Sequence, residues 1–202
     1  MIVVGLTGQS GAGKTTVCNT FEKNGFVIIN ADIVAREVMS RDSECLKKTS
    51  EVFGNIISED GTLDRQKLAG IVFNDSDKLK IYENIIFPYI ISSIKDRING
   101  YRENKEDYVL LDAPTLFESG ADSLCDIIIS VITDRTIRLE RILRRDGITP
   151  DQAESRLNSQ QEDDFYIENS DYVIRNNNSL STLGNDAMNV INLIKEQSDA
   201  EK

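Results

Sequence analysis

Gly8-Gln9-Ser10-Gly11-Ala12-Gly13-Lys14-Thr15, directly behind the apolar run Ile2–Thr7, decides how the rest of the chain is read. It satisfies Gly-x-x-x-x-Gly-Lys-Ser/Thr at every position. Glycines at these places let the backbone turn so that successive N–H groups converge on phosphate oxygens. The lysine then reaches the terminal phosphates and the next hydroxyl faces Mg²⁺, while the following helix turns its positive dipole end to the anion. From average residue usage, a chance match in a chain of this length is on the order of 1 %. The octet, with a strand before it and a helix after it, predicts a nucleoside-triphosphate-binding P-loop. Gly8, Gly11, Ala12, Gly13, Lys14, Thr15 and Thr16 are the expected contacts, and Thr15 is a ligand of Mg²⁺.

Outward from the octet, the chain alternates strand and helix signals. Ile2–Thr7 reads as a strand buried on both faces, and Lys14–Asn24 as a helix closed by Gly25. Phe26–Asn30, Tyr108–Asp112, Asp126–Thr133 and Tyr172–Arg175 are four more short apolar runs. Five such runs separated by helices predict an α/β three-layer P-loop NTPase fold with a five-stranded parallel sheet. The core is assigned to residues 1–31, 108–134 and 170–202. Residues 32–107 show only helical patterns, with a kink expected at Pro88, and are too long for one crossover, so they read as an inserted helical domain. Residues 135–169, rich in Arg, Gln and acids, read as a mobile helical hairpin, a lid. Leu180–Ile194 reads as an amphipathic helix followed by a fraying polar tail.

Composition narrows the chemistry. The 202 residues carry 34 acidic and 23 basic side chains, a net charge of −11, which disfavours nucleic acid as a partner. There is no histidine, so His-based triads and His-ligated zinc are excluded. Three widely spaced cysteines, Cys18, Cys45 and Cys125, fit small core residues in a reducing compartment. The start MIVVGLTG lacks a basic n-region, and the apolar stretches around Ile85–Ile91 and Ile127–Ile132 are too short to span a membrane. A soluble cytoplasmic protein without membrane partners is expected.

Three further features can serve an anionic substrate. Asp32 follows the second strand, where ligands gather in parallel sheets. It can take a proton from an attacking hydroxyl, or it can cap a helix over Ile33–Met39. Asp112 ends the third strand, as an acid near a nucleotide-bound metal would, with a turn or cap as the alternative. Arg135, Arg138, Arg141, Arg144 and Arg145 form a local positive field, with Arg138, Arg141 and Arg145 on one helix face. The alternative is a solvated helix paired with acids such as Glu140 and Asp146. Asn104-Lys105-Glu106-Asp107 matches the guanine-reading Asn-Lys-x-Asp, but it precedes the third strand and no Asp-x-x-Gly accompanies it, so it reads as a polar loop.

From about Ile2 to Leu180 the chain resembles the dephospho-coenzyme A kinases. The resemblance rests on Gly5-Leu6-Thr7-Gly8, Asn30-Ala31-Asp32 with Ala35-Arg36-Glu37, Gly61-Thr62-Leu63-Asp64-Arg65 with Leu68 and Phe73, and Asp112-Ala113-Pro114-Thr115-Leu116-Phe117-Glu118. Arg144-Arg145-Asp146 running on to Ala153, Arg156 and Gln160, and Ser170-Asp171-Tyr172-Val173-Ile174 with Asn176, complete it. It implies γ-phosphoryl transfer from ATP, with Mg²⁺, to the ribose 3′-hydroxyl of dephospho-coenzyme A, with Asp32 as general base. Lys14 and Arg141 would share the developing charge, and Arg141, Arg145 and Asn176 would contact the nucleotide. Asp32, Arg36, Arg65, Pro88 and Asp112 would meet the acceptor, and Thr15 and Asp112 the metal. The insertion would bind coenzyme A and the arginine-rich excursion would close as a lid, in a monomer or weak homo-oligomer. The family pattern departs at Asn30, where Asp is usual, and at Phe87-Pro88, where His-Pro is common. Another P-loop kinase, for a nucleoside, nucleotide or sugar, and a nucleotide-switched binding protein are the alternatives.

Overall fold

A computed structural model describes residues 1–177 and 180–200. The apolar runs Ile2–Gly8 (β1), Val27–Asn30 (β2), Tyr108–Asp112 (β3), Ile127–Ile132 (β4) and Tyr172–Arg175 (β5) form one sheet, ordered β2-β3-β1-β4-β5. β1 pairs in parallel with β3 and β4, and β4 with β5. Parallel neighbours cannot be joined by tight turns, so helices cross between them. They are α1 (Lys14–Lys23), α2 (Ala31–Val38), α3 (Glu44–Phe53), α4 (Arg65–Val72), α5 (Ser76–Glu103), α6 (Arg135–Asp146), α7 (Pro150–Asn158), α8 (Asp163–Glu168) and α9 (Leu180–Ala200).

As the central strand, β1 is buried from Val3 to Gly8, which explains its unbroken apolar sequence. Leu6 pairs with Asp112 and Gly8 with Val131, so β1, β3 and β4 end along one edge of the sheet. One core joins Val4, Leu6, Leu110, Ile129 and Ile174 of the sheet to Val17 and Phe21 of α1 and Leu183, Ala187 and Ile191 of α9. Phe21 and Phe26 meet edge to face with ring centroids 4.8 Å apart, a favoured geometry for an aromatic pair.

The chain divides into two units, Met1–Ile29 with Tyr101–Lys202, and Asn30–Gly100. In the second, α5 runs through Pro88 as one continuous helix, with Ile86, Ile90, Ile94 and Ile98 buried at every fourth position. An ion pair from Arg97 to Glu37 ties α5 to α2. The region is helical apart from a bridge between Ile57 and Leu63.

Two local expectations change. The arginine-rich excursion is three helices, α6, α7 and α8, rather than a hairpin. The final helix continues past Ile194 to Ala200, and the end of the polar tail expected to fray, 201–202, lies outside the described residues. Lys195 donates to the Asn24 carbonyl at 2.9 Å and Gln197 to the Tyr172 hydroxyl at 3.1 Å, tertiary anchors that hydrophobic periodicity does not register. Lys105, at φ 60°, lies in the turn before β3, and Asp107 accepts from the Ile2 N–H, so the Asn-Lys-Glu-Asp stretch serves the sheet. Among the described residues no helix is long and apolar enough to cross a membrane.

Candidate active site

The P-loop connects β1 to α1 through backbone that only glycine adopts easily. Gly8 has φ 143°, and a Cβ there would stand 2.3 Å from the Val131 carbonyl oxygen of the neighbouring strand. Gly13, at φ 102°, occupies the N-cap of α1 and supplies no capping side chain, so no side chain competes with an anion at that helix end. A Cβ on Gly13 would lie 2.4 Å from Asn176 Nδ2 and 3.2 Å from Leu183. Gly13→Ala is therefore expected to destabilise the fold by about 2 kcal/mol through backbone strain alone, and to weaken Mg-ATP binding further. Thermal unfolding with and without Mg-ATP checks this, and an unchanged Tm in both would contradict it.

Lys14 forms an ion pair with Asp112, both side chains being largely buried at the ends of α1 and β3. Lys14 is thus held at the mouth of the loop before any phosphate arrives. Burial, with the Asp112 charge second, pushes the nearby Cys18 thiol up to about 11, so it remains a neutral core residue. Thr15 is exposed at the start of α1. Its hydroxyl and the Asp112 carboxylate are hard oxygen donors of the kind Mg²⁺ takes alongside phosphate oxygens. Among the described residues no group of three or more Cys, Asp or Glu gathers as a metal site.

Each loop residue from Gln9 to Ala12 is anchored by chain beyond Thr133. Gln9 Nε2 donates to the Gln161 carbonyl at 3.1 Å and to Asp163 Oδ1 at 2.9 Å. The Ser10 N–H donates to Gln160 Oε1 at 3.1 Å. Arg141 donates to the carbonyls of Gly11 and Asn176, both at 3.2 Å. The Ala12 carbonyl accepts from Asn176 Nδ2 at 2.7 Å and the Thr133 hydroxyl at 3.1 Å. Asn176 is buried, so its amide supports the loop from beneath. Gln9, Thr133, Gln160 and Asp163 are not legible as site residues from sequence, because the loop and the segments that hold it lie over a hundred positions apart.

The arginines divide by burial. Arg138 is 4 % exposed, with Nε donating to the Thr133 carbonyl at 2.9 Å, and Arg141 is half-buried against the loop. Arg145 instead makes a two-pronged contact with Asp146, at 2.6 and 2.9 Å, and Arg156 binds the same carboxylate. For Arg145 the acid-paired alternative thus holds in this conformation. These two guanidiniums, Arg145 first, pull Asp146 down to about 2. A depressed carboxylate stabilises the fold above its ordinary range and loses that contribution as pH falls toward the shifted value. The α6–α7 tie is expected to persist through neutral pH and to weaken only between about pH 4 and pH 2. Titrating the Asp146 carboxyl by NMR tests it; a midpoint near the ordinary carboxylate value would contradict it.

In the other unit, the cap alternative for Asp32 is corrected. Helix α2 starts at Ala31, and its N-cap is Asn30, whose side chain accepts the Ile33 N–H at 3.0 Å. Asparagine and aspartate cap equally well, so this departure from the family pattern keeps the cap. Asp32 sits in the first turn, exposed, as is Arg36 one turn later. Arg65 begins α4 beside a cavity of ≈ 250 Å³ lined by Leu63, Leu68, Phe73 and Tyr82. Pro88 lines a second cavity of ≈ 440 Å³ with Lys48, Asn84, Ile85, Tyr89 and Ser92. Arg65 and Pro88 therefore border different cavities.

Residues 2–182 match the family model described as CoaE, Dephospho-CoA kinase. The chain belongs to the dephospho-CoA kinase family. A dephospho-CoA kinase of Fusobacterium nucleatum is 37 % identical over 185 residues, covering 91 % of this chain and 93 % of its own. One of Listeria innocua is 38 % identical over 178 residues, covering 88 % and 89 %. The solved dephospho-CoA kinase of Campylobacter jejuni superposes with a TM-score of 0.72 at 27 % identity, covering 99 % of this chain and 98 % of that one. Membership in the dephospho-CoA kinase family makes the chain a kinase and implies ATP use. The phosphate loop with its docked lysine fits that chemistry.

Proposed function

We propose that this chain transfers the γ-phosphoryl group of ATP to the ribose 3′-hydroxyl of dephospho-coenzyme A, giving coenzyme A and ADP, the final step of coenzyme A synthesis. The observation that carries this reading is the preformed phosphate loop, with Lys14 paired to Asp112, inside a chain of the dephospho-CoA kinase family. Phosphoryl transfer asks the protein mainly for positioning and charge stabilisation. The loop amides and the α1 N-terminus hold the β- and γ-phosphates, and Lys14 and Arg141 meet the charge that develops on them. Asp32 takes the proton of the 3′-hydroxyl as it attacks phosphorus, and ADP leaves. Thr15 and Asp112 would hold Mg²⁺, which would supply neutralisation of the charge on the nucleotide's phosphates. In this reading the insertion, assigned to residues 32–107, with Arg36, Arg65 and Pro88, receives the acceptor. The segment 135–169 acts as the lid that keeps water from the phosphorus, with Arg145 leaving Asp146 for the nucleotide on closure. The setting is a cytoplasmic monomer or weak homo-oligomer.

The test is ADP release from Mg-ATP with and without dephospho-coenzyme A, with the product's mass determined. Acceptor-dependent release and a product heavier by one phosphoryl group are expected. No stimulation by this acceptor would reject the substrate and send the search to nucleosides and sugars.

A further inference from the structure

We propose that Gln160 is a positioning residue for phosphoryl transfer, acting as the acceptor that locks the phosphate loop to the arginine-bearing helices. This rests on the reaction proposed above and adds a residue to its machinery. Gln160 Oε1 accepts the N–H of Ser10 at 3.1 Å and Arg138 Nη1 at 3.4 Å. Arg138, nearly buried, continues to the Thr133 carbonyl, and the Thr133 hydroxyl returns to the Ala12 carbonyl. The circuit leaves the loop at Ser10 and re-enters it two residues later. Both neighbours of the Gln160 oxygen are donors, so the position calls for a carbonyl-type acceptor and nothing apolar satisfies it.

A second amide reinforces the tie. The Gln9 side chain is 2 % exposed, and its Nε2 donates to the Gln161 carbonyl and the Asp163 carboxylate. Gln9 Oε1 is buried with no hydrogen-bond partner, a cost the two donated bonds offset. Segment 160–163, which ends the α7–α8 connection and opens α8, is therefore fastened to loop residues Gln9 and Ser10. Arg141 on α6 holds Gly11 itself. Displacing the segment without these bonds would leave the loop amides loosely aimed. The γ-phosphate would then be bound but misplaced against Lys14, a defect that falls on kcat more than on KM.

The experiment compares Gln160→Leu, which keeps bulk and removes the acceptor, with Gln160→Glu, which keeps an acceptor and adds charge. For Gln160→Leu, kcat for transfer is expected to fall about 10-fold, with a smaller change in KM for ATP. Acceptor-independent ATP hydrolysis should fall less, so its ratio to transfer rises. For Gln160→Glu, kcat should stay within about 3-fold while KM for ATP rises about 10-fold, because a carboxylate now lies beside the phosphate site. Amide exchange at Ser10 and the loop, measured without acceptor, should quicken about 10-fold in the Leu variant and stay unchanged in the Glu variant. That readout stands even if wild-type protein leaves dephospho-coenzyme A untouched, the outcome that would sink the proposed reaction instead. Unchanged kcat and loop exchange in Gln160→Leu would overturn the positioning role, as would equal kcat losses in the two variants. Should Gln160→Leu fail to fold, Gln160→Ala replaces it in both measurements: a fall in kcat with quickened loop exchange supports the acceptor role, and unchanged kcat and exchange refute it.

Discussion

Lys14→Ala is expected to abolish phosphoryl transfer, lowering kcat/KM by at least about 10³-fold, the upper range for removing one preorganised charge or donor from a transition state. Lys14 is the only charged residue in the octet Gly8–Thr15. Its ammonium is held against Asp112 with 15 % of the side chain exposed, where water screens poorly and a cation counts for more. Arg138 and Arg141 do not replace it, because their guanidiniums already bind the Thr133, Gly11 and Asn176 carbonyls. The substitution also removes the ammonium from the largely buried Asp112, so a thermal unfolding curve accompanies the kinetics. A folded variant with no transfer is the expected result. Near-normal turnover would refute the P-loop assignment itself.

Asp32→Asn is expected to lower kcat at least about 100-fold, the lower end of general-base contributions, with little change in KM for ATP. The amide keeps the shape of the carboxylate and cannot accept the hydroxyl proton. The structure makes this a clean test, since Asn30 caps α2 and the helix does not depend on Asp32 for its start. A fall in kcat with an unchanged Tm thus reports chemistry. Unchanged kcat would remove Asp32 from the catalytic machinery and leave it as a favourable acidic residue in a helix's first turn.

Much of the fold is local information, and so was legible. A β-branched run that must sit at the centre of a parallel sheet has no polar alternation, and Ile2–Gly8 shows none. Tyr108–Asp112 and Tyr172–Arg175 are the strands their apolar runs predict, residue for residue. The phosphate loop is legible for the same reason: eight contiguous residues carry its glycines, its lysine and its hydroxyl. The helical character of the insertion is equally plain in the isoleucines of α5, spaced by four.

Contacts between distant segments were not legible. Periodicity ended the last helix at Ile194, and the bonds from Lys195 and Gln197 carry it to Ala200. Spacing put Arg138, Arg141 and Arg145 on one face as equals. Packing buried the first, braced the second on the loop and left the third with Asp146. Asp32 reads from sequence as a possible cap, and the backbone at the end of β2 gives that role to Asn30 instead. By itself the sequence determined the sheet's strands, the phosphate loop and the family, because each is written in neighbouring residues or in ordered motifs along one chain. Tertiary structure alone decided which polar side chains hold the loop, since a hydrogen bond depends on three-dimensional distance and direction, and residues 9 and 163 share neither until the chain has folded.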